Sequence, residues 1–565
     1  MRQILLICAL FLCPALAKSQ VFNLNWAKSI GDTLIDWGHS VATDGQNNVY
    51  VMGIFKGTPD FDPGPNTTYL TCGGMTSLFI SKFNANGDFL WAKKIDGDPH
   101  SDGLHMQVDN AGNIYLVGSI TNTTDMDPGP GVYNLVSVSH DGFLCKLDAN
   151  GNFLWAKNFG GSFSDVVNAV KIDGNGNIIL VGDFYDIGDF DPGNATLYLG
   201  SINAYSISVV KLDAQGNLTW AKAITAGGMF IKNTDVDVDN AGNIYFTGNF
   251  SGQTDFDPNS GVQNLTANGT SNDIFIAKWD MNGNYVWAKR AGANYNDMGH
   301  AIRVDNNSSV YYAGTFAGVV DFDPGTGTVN LTSGSNSKAF ISKLDANGNF
   351  VWARDYGASG SSCIHWELQL DNNENIYTTG FFYGTSDFDP SSSSLVLTAP
   401  TTNTDSYILK TDSTGATQWV KHLTGTGDAV GSSIHITGSN ELLITGYFSE
   451  TLDCDPSAAT FNLTASGSQD IYFAKYSMTS PTGIDAEIEY DAFTLYPNPV
   501  QETLHWNSST PLTTIKLYTL DGRLMLENKK IVANSINLTG LPVGYYLFLG
   551  EGEHKTFRKI IEIGN

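Results

Sequence analysis

The chain has little charge, fewer cations than anions, and almost no cysteine. Only 15% of its 565 residues are charged, and 30 Lys and Arg face 57 Asp and Glu, a formal net charge of −27. Binding to nucleic acid requires clustered cations against phosphate, so this balance excludes it as a partner. Six cysteines make no disulfide framework, because Cys8 and Cys13 fall in an N-terminal leader and Cys72, Cys145, Cys363 and Cys454 are far apart. After that leader no apolar run is long enough to cross a membrane as a helix. Helical periodicity of any length is missing as well. So are the Gly-x-Ser-x-Gly elbow, His-Glu-x-x-His, a Cys/His zinc cluster and a phosphate loop, and no enzymatic activity is expected on motif grounds.

Glycine, with 60 copies, and aromatic residues, at 12%, are abundant instead. That mixture suits short strands joined by tight turns. Residues 1–20 read as a secretory signal: Met1-Arg2 supplies the charge, Ile4 to Leu12 the apolar run, and Ala15-Leu16-Ala17 the cleavage site.

A repeat search organises the rest. Trp-Ala-Lys-like elements recur at Trp26, Trp91, Trp155, Trp220, Trp287, Trp352 and Trp419, spaced 64 to 67 residues apart. An Asp-x-Asp-Pro element recurs with the same spacing. Its first carboxylates are Asp60, Asp125, Asp189, Asp255, Asp321, Asp387 and Asp453, and its second are Asp62, Asp127, Asp191, Asp257, Asp323, Asp389 and Asp455. In the third copy Val167–Asp173 alternates as a strand, Gly174–Asn177 turns, and Ile178–Phe184 forms a second strand leading into the Asp-x-Asp-Pro loop. Ser206–Asp213 and Leu218–Ile224 follow as third and fourth strands. Four antiparallel strands per unit, repeated seven times, predict an all-β fold: a seven-bladed β-propeller over residues 21–478. The first unit begins with its Trp strand and the last ends on a third strand, so the N-terminal strand is expected to close the last blade.

The pattern Val108-Asp109-Asn110-Ala111-Gly112-Asn113-Ile114-Tyr115-Leu116-Val117-Gly118 resembles the bacterial seven-bladed propeller repeats known as SBBP. That resemblance implies the fold and no single activity. Residues 479–492 read as a linker. Beyond it come Tyr496-Pro497-Asn498-Pro499, then Ile515 to Leu520 running into Gly522-Arg523, then Leu541-Pro542-Val543-Gly544-Tyr545-Tyr546, and last a strand containing Lys559. Their alternation predicts a small Ig-like β-sandwich. In this order they resemble the type A sorting domain of type IX secretion over residues 493–565. The resemblance implies passage through the periplasm, engagement of the type IX machinery, and delivery to the cell surface or the medium.

Two sets of residues are candidates for chemistry. Carboxylates at i and i+2, as in each Asp-x-Asp-Pro element, suit Ca²⁺; equally, each Asp can cap its loop while the middle residue plugs a gap. The second set lies where the innermost strands begin: Asp36 and His39, Asp165 and Asn168, Asp297 and His300. These are positioned to ring the mouth of a central channel, as ligand-binding groups or as caps and polar lining, with His105 and His365 nearby but out of register by one residue. The Trp series is expected to pack between sheets, with the following Lys covering an exposed edge. The functional expectation is an exported binding or scaffold module, adhesin-like, for a glycan or surface protein. Two alternatives are an extracellular polysaccharide hydrolase or lyase and a structural surface-coat component.

Overall fold

The computed structural model describes residues 21–479 apart from 98–102, 359–360, 392 and 401, and residues 494–564 apart from 509–510, 520–522, 530, 532 and 553–555. The signal segment, Gly522 and the linker beyond Thr479 lie outside the described residues. Strands are the only extended regular elements among those described, and the sheets are antiparallel. Phe22–Met478 form one compact unit.

Within it, strands follow one another as four-stranded meanders. The first is Trp37–Thr43, Val49–Phe55, Ser77–Phe83 and Phe89–Asp96. The same arrangement restarts with innermost strands His105–Val108, Asp165–Ile172, Ile231–Val238, Met298–Val304, Ser362–Leu370 and Ala429–Ile436. The last of these meanders takes its outer strand from the other end of the chain, Val21–Ile30 pairing with Asp470–Thr479. Each innermost strand lies against the next in sequence order, and Ala429–Ile436 lies against Trp37–Thr43.

Burial explains the meander. Val49–Phe55 and Ser77–Phe83 are buried throughout, whereas Phe89–Asp96 is mostly half-buried. Middle strands are covered on both faces, which is why they are written as near-continuous apolar runs. The tight turns between strands are built by Asp. Asp173 accepts the amides of Asn175 and Asn177 and the Asn177 side chain, while Gly176 takes the left-handed conformation, φ 81°.

Each meander leans on the next through its Trp. Trp26, Trp287 and Trp352 donate Nε1–H to the turn carbonyls of Ala85, Ala346 and Ser413 at 3.3, 3.3 and 3.0 Å. The Trp series thus packs between sheets. The Lys after it does more than cover an edge: Lys222 Nζ donates to Gly283 O of the neighbouring turn at 2.8 Å, because that carbonyl faces it across the gap. At the junction of the chain ends Phe22 stacks on Tyr476, 4.6 Å between centroids, and tilts against Trp419 at 5.0 Å.

The C-terminal residues form two sheets of their own. Thr494–Tyr496, Thr503–Asn507 and Ser535–Asn537 make one, and Leu524–Asn528, Leu512–Thr519, Gly544–Gly552 and Thr556–Ile563 the other. Val500, Leu504, Trp506, Ile515, Leu517, Phe548 and Ile561 fill a common core.

Candidate functional site

The two sets of candidate residues part company in the structure. Every Asp-x-Asp-Pro element folds identically. Asp321 Oδ1 accepts the amides of Asp323 at 3.1 Å and Val329 at 2.8 Å, and Asp323 Oδ1 accepts the amide of Gly325 at 2.8 Å. The first carboxylates of the other copies, Asp60, Asp125, Asp189, Asp255, Asp387 and Asp453, likewise hold the amides at i+2 and i+8. Their second carboxylates, Asp62, Asp127, Asp191, Asp257, Asp389 and Asp455, each hold the amide at i+2, in Gly64, Gly129, Gly193, Asn259, Ser391 and Ser457.

This geometry gives both positions of the element a loop-capping role. At Asp60, Asp125, Asp189, Asp255, Asp321, Asp387 and Asp453 the Oδ1 atom already receives two backbone N–H groups. At Asp62, Asp127, Asp191, Asp257, Asp323, Asp389 and Asp455 it receives one. No group of three metal-ligating side chains occurs among the described residues. These carboxylates cap their own loops, the second of the two roles open to them in the sequence. The middle residue is a plug: Phe322 sits 5.4 Å from Phe316 and 4.8 Å from Phe340, ring to ring, fully buried. None of these residues lines the cavity described next.

That cavity, about 640 Å³, opens where the innermost strands begin. A bulge builds it. In Trp37–Thr43 the pairing jumps from Gly38↔Gly53 to Ser40↔Met52, so the ladder skips His39. The same slip passes over Asn168, Thr234, His300, Trp366 and Ser432. All six line the cavity. A bulge re-aims a side chain, and here it turns one residue per strand toward a common space. Leu104 and His105 line it from the remaining strand.

Aromatic faces and planar polar groups share the wall. Trp366 stacks on His300 at 4.8 Å and 25°, and Trp37 on Tyr447 at 5.1 Å and 27°. Asn249, Asn272 and Lys232 complete it, together with Phe230 and Met298. His300 Nδ1 lies 2.8 Å from His365 O, and burial pulls the His300 and His105 imidazoles down to about 4, so both are neutral near pH 7.

Of the second candidate set, the structure brings His39, Asn168 and His300 together at this mouth, and places Asp36, Asp165 and Asp297 outside its lining. They are buried and hold backbone: Asp36 takes the amides of Asp32 and Lys56, Asp165 those of Gly161 and Tyr185, and Asp297 those of Ala293 and Ala317. The strand turns between Asp and the bulge, so only the later residue of each pair faces the cavity. His365 turns the other way, buried against Tyr407, because Trp366 is the bulged residue of its strand.

Sequence reading missed a charged clasp on one wall. Arg303 pairs with both Asp235 and Glu367, and Lys171 with Asp237 at 2.7 Å. Asp235 also accepts the Ile302 amide at 2.9 Å. Burial raises Glu367 to about 7 against the pull of Arg303. The signal was present in Asp235 and Glu367, which occupy a column where other units carry Ser40, Ala169, Ala301 and Ser433.

Comparison with known proteins addresses the C-terminal unit most directly. Residues 494–563 match the secretion system C-terminal sorting domain. The chain ends in a sorting domain. It marks the protein for type IX export, to the cell surface or into the medium, and implies contact with that machinery. Among the described residues no helix is long and apolar enough to cross a membrane. Within the domain, Tyr496 stacks on His505, Asn498 accepts the Glu562 amide at 2.7 Å, and the Tyr546 hydroxyl donates to Pro542 O at 2.7 Å. The Arg523 amide closes a turn on Thr519 Oγ1, the Leu541 amide bonds Leu538 O at 3.1 Å, and Lys559 is exposed. Pro497 and Pro499 follow cis peptide bonds, and Gly544 opens its strand.

Over 75% of this chain and 36% of its own length, an uncharacterized WD repeat-containing protein of Acanthamoeba polyphaga mimivirus is 22% identical over 508 residues. The chain thus spans about a third of the length of that curated relative. Similar solved structures include the extracellular domain of a putative hybrid two-component system from B. thetaiotaomicron, 10% identical, covering 96% of this chain and 99% of that one, TM-score 0.17. The PQQ domain of pyranose dehydrogenase from Coprinopsis cinerea is 11% identical, covering 80% and 97%, TM-score 0.28.

Proposed function

We propose that residues 22–478 are a seven-bladed β-propeller of the SBBP-like kind, and that the exported protein is a non-enzymatic binding or scaffold module holding its ligand in the central cavity. The return of Ala429–Ile436 to Trp37–Thr43, with an outer strand borrowed from Val21–Ile30, supports the ring. The binding reading is carried by one observation, the bulges that turn side chains from successive strands into one cavity. Its mixture of stacked aromatics with amides and neutral imidazoles suits a ligand having both apolar faces and hydrogen-bonding edges, as sugars do. The Asp-x-Asp-Pro pairs we assign to loop stapling, since the Oδ1 atom of each holds loop amides.

One feature favours a hydrolase or lyase instead: Glu367 and Asp235 are two acids on the cavity wall, and burial pushes Glu367 above the usual carboxylate range. A glycan array and a polymer-cleavage assay on the exported protein separate the readings. Binding lost in Trp366→Ala, without shortening of any polymer, is the expected result. Cleavage that disappears in Glu367→Gln would establish the enzyme.

A further inference from the structure

Two of the exposed aromatic residues outside the cavity, Phe163 and Tyr205, belong to one row. Phe230, on the cavity wall, lies 5.6 Å from Tyr205, ring centroid to ring centroid. Tyr205 lies 4.8 Å from Tyr185, and Tyr185 lies 5.3 Å from Phe163. Phe163 and Tyr205 are 43% and 41% exposed, too much for rings serving only as core. The four therefore form a continuous aromatic row leading from the cavity across the strands Ile178–Asp189 and Tyr198–Leu212, where Tyr185 and Tyr205 are cross-strand partners.

The row is not a feature of the repeat: by register, Tyr205 stands where other units carry Thr76, His140, Asn272, Thr404 and Gln469. Packing between repeats cannot require an aromatic ring that the other copies do without. Both strands beneath the row are interior to their sheet, so a peptide could not add here as an extra strand. The formal net charge of −27 disfavours an anionic chain.

We propose that this row is a track for a neutral polysaccharide whose end or branch occupies the cavity, successive sugar faces lying on Phe230, Tyr205, Tyr185 and Phe163. The proposal rests on the cavity being a ligand site and adds the class and length of the ligand. Linking several weak stacking contacts along one chain raises affinity with chain length, and that dependence is its signature.

The test is affinity electrophoresis of the exported protein in gels cast with mixed-linkage β-glucan, xyloglucan, galactomannan or, as the anionic control, alginate, followed by titration with matched di- to hexasaccharides. Retardation by a neutral polymer, none by alginate, and affinity that climbs with oligosaccharide length are expected. Tyr185→Ala with Tyr205→Ala should weaken the hexasaccharide about tenfold, as loss of about 1.4 kcal/mol of stacking would, and leave the disaccharide unchanged. Tyr205→Phe, which keeps the ring, should bind like the parent. Both side chains are partly exposed, and an unchanged melting temperature confirms folding of the double variant. Disaccharide binding that Trp366→Ala abolishes, with no length dependence or no effect of the double variant, would sink the track while sparing the cavity. Absence of retardation by every neutral polymer, or preference for a proline-rich peptide, would overturn the proposal outright.

Discussion

At the scale of single residues, aspartate does the most varied work in this chain, and burial sorts its roles. In the Asp-x-Asp-Pro loops it staples. Asp321 holds two loop amides, so Asp321→Ala should cost about 2–3 kcal/mol in denaturant unfolding, and Asp323→Ala, which releases one amide, about half as much. If capping is the whole role, the parent's midpoint stays put when Ca²⁺ is added or EGTA removes it; a rise with Ca²⁺ would return these pairs to metal binding. Asp36, Asp165 and Asp297 behave differently under titration. Burial, only partly offset by their amide partners, raises each from 3.8 to about 7. The folded state then holds protons that the unfolded chain releases, so their contribution is full below about pH 4, is lost as pH rises to about 7, and is flat above. Turn residues such as Asp173 oppose this at the acid end: burial works against them, but the Asn177 side chain and the turn amides hold them below 3.8, so their contribution is lost as pH falls. Burial also opposes the trend of the three buried carboxylates between pH 4 and 6.5, at the imidazoles of His105, His300 and His435, pulled down to about 4, and of His365, pulled down to about 3. The carboxylates are therefore read singly: Asp165→Asn, which mimics the protonated form, should gain melting temperature relative to the parent as pH rises from 5 to 7.5, and an offset that does not change with pH would contradict the assignment.

At the scale of elements, the Trp strand and the Asp turn of the following meander act as one joint. Trp352 donates to Ser413 O at 3.0 Å, and its ring covers Gly415, whose φ of 80° and closeness to the indole leave no room for a side chain. Trp352→Phe keeps most of the ring and loses the bond, an expected cost of about 1 kcal/mol. Trp352→Ala opens a cavity between sheets and should cost about 3–5 kcal/mol, read from the same denaturation curves. The Trp half of this joint was legible in the sequence, because a Trp recurring once per unit betrays a contact made repeatedly. The all-β character was legible for the same reason. The bulge was not. Its residue is His, Asn, Thr, Trp or Ser according to the strand, so no residue type marks it, and it displaces the side-chain alternation by one position. That displacement is why His39, Asn168 and His300 reach the cavity while the Asp three residues earlier in each case turns into backbone. The Arg303 clasp was hidden for another reason: Asp235, Arg303 and Glu367 come from three units, and only folding brings them together.

At the scale of the molecule, address and activity occupy separate cores. Phe22–Met478 owes nothing to the C-terminal residues for its sheets, whose last strand receives its partner from Val21–Ile30. The sorting domain has its own buried cluster, centred on Trp506, Ile515, Leu517 and Phe548. Removal of residues 494–565 therefore leaves every hydrogen-bonded strand pair of the larger unit in place. The truncated protein should melt in one transition at the temperature of the full chain's larger unit, and should bind any ligand of the cavity with unchanged affinity. Its location, however, should change. Without the domain that the export machinery reads, the protein should accumulate in the periplasm and vanish from surface and medium fractions, as immunoblots of fractionated cells would reveal. Retained export after truncation would mean that the larger unit carries an address of its own. A fall in melting temperature or affinity would mean instead that the two cores are energetically coupled. Unchanged folding with lost export is the outcome that two independent cores require.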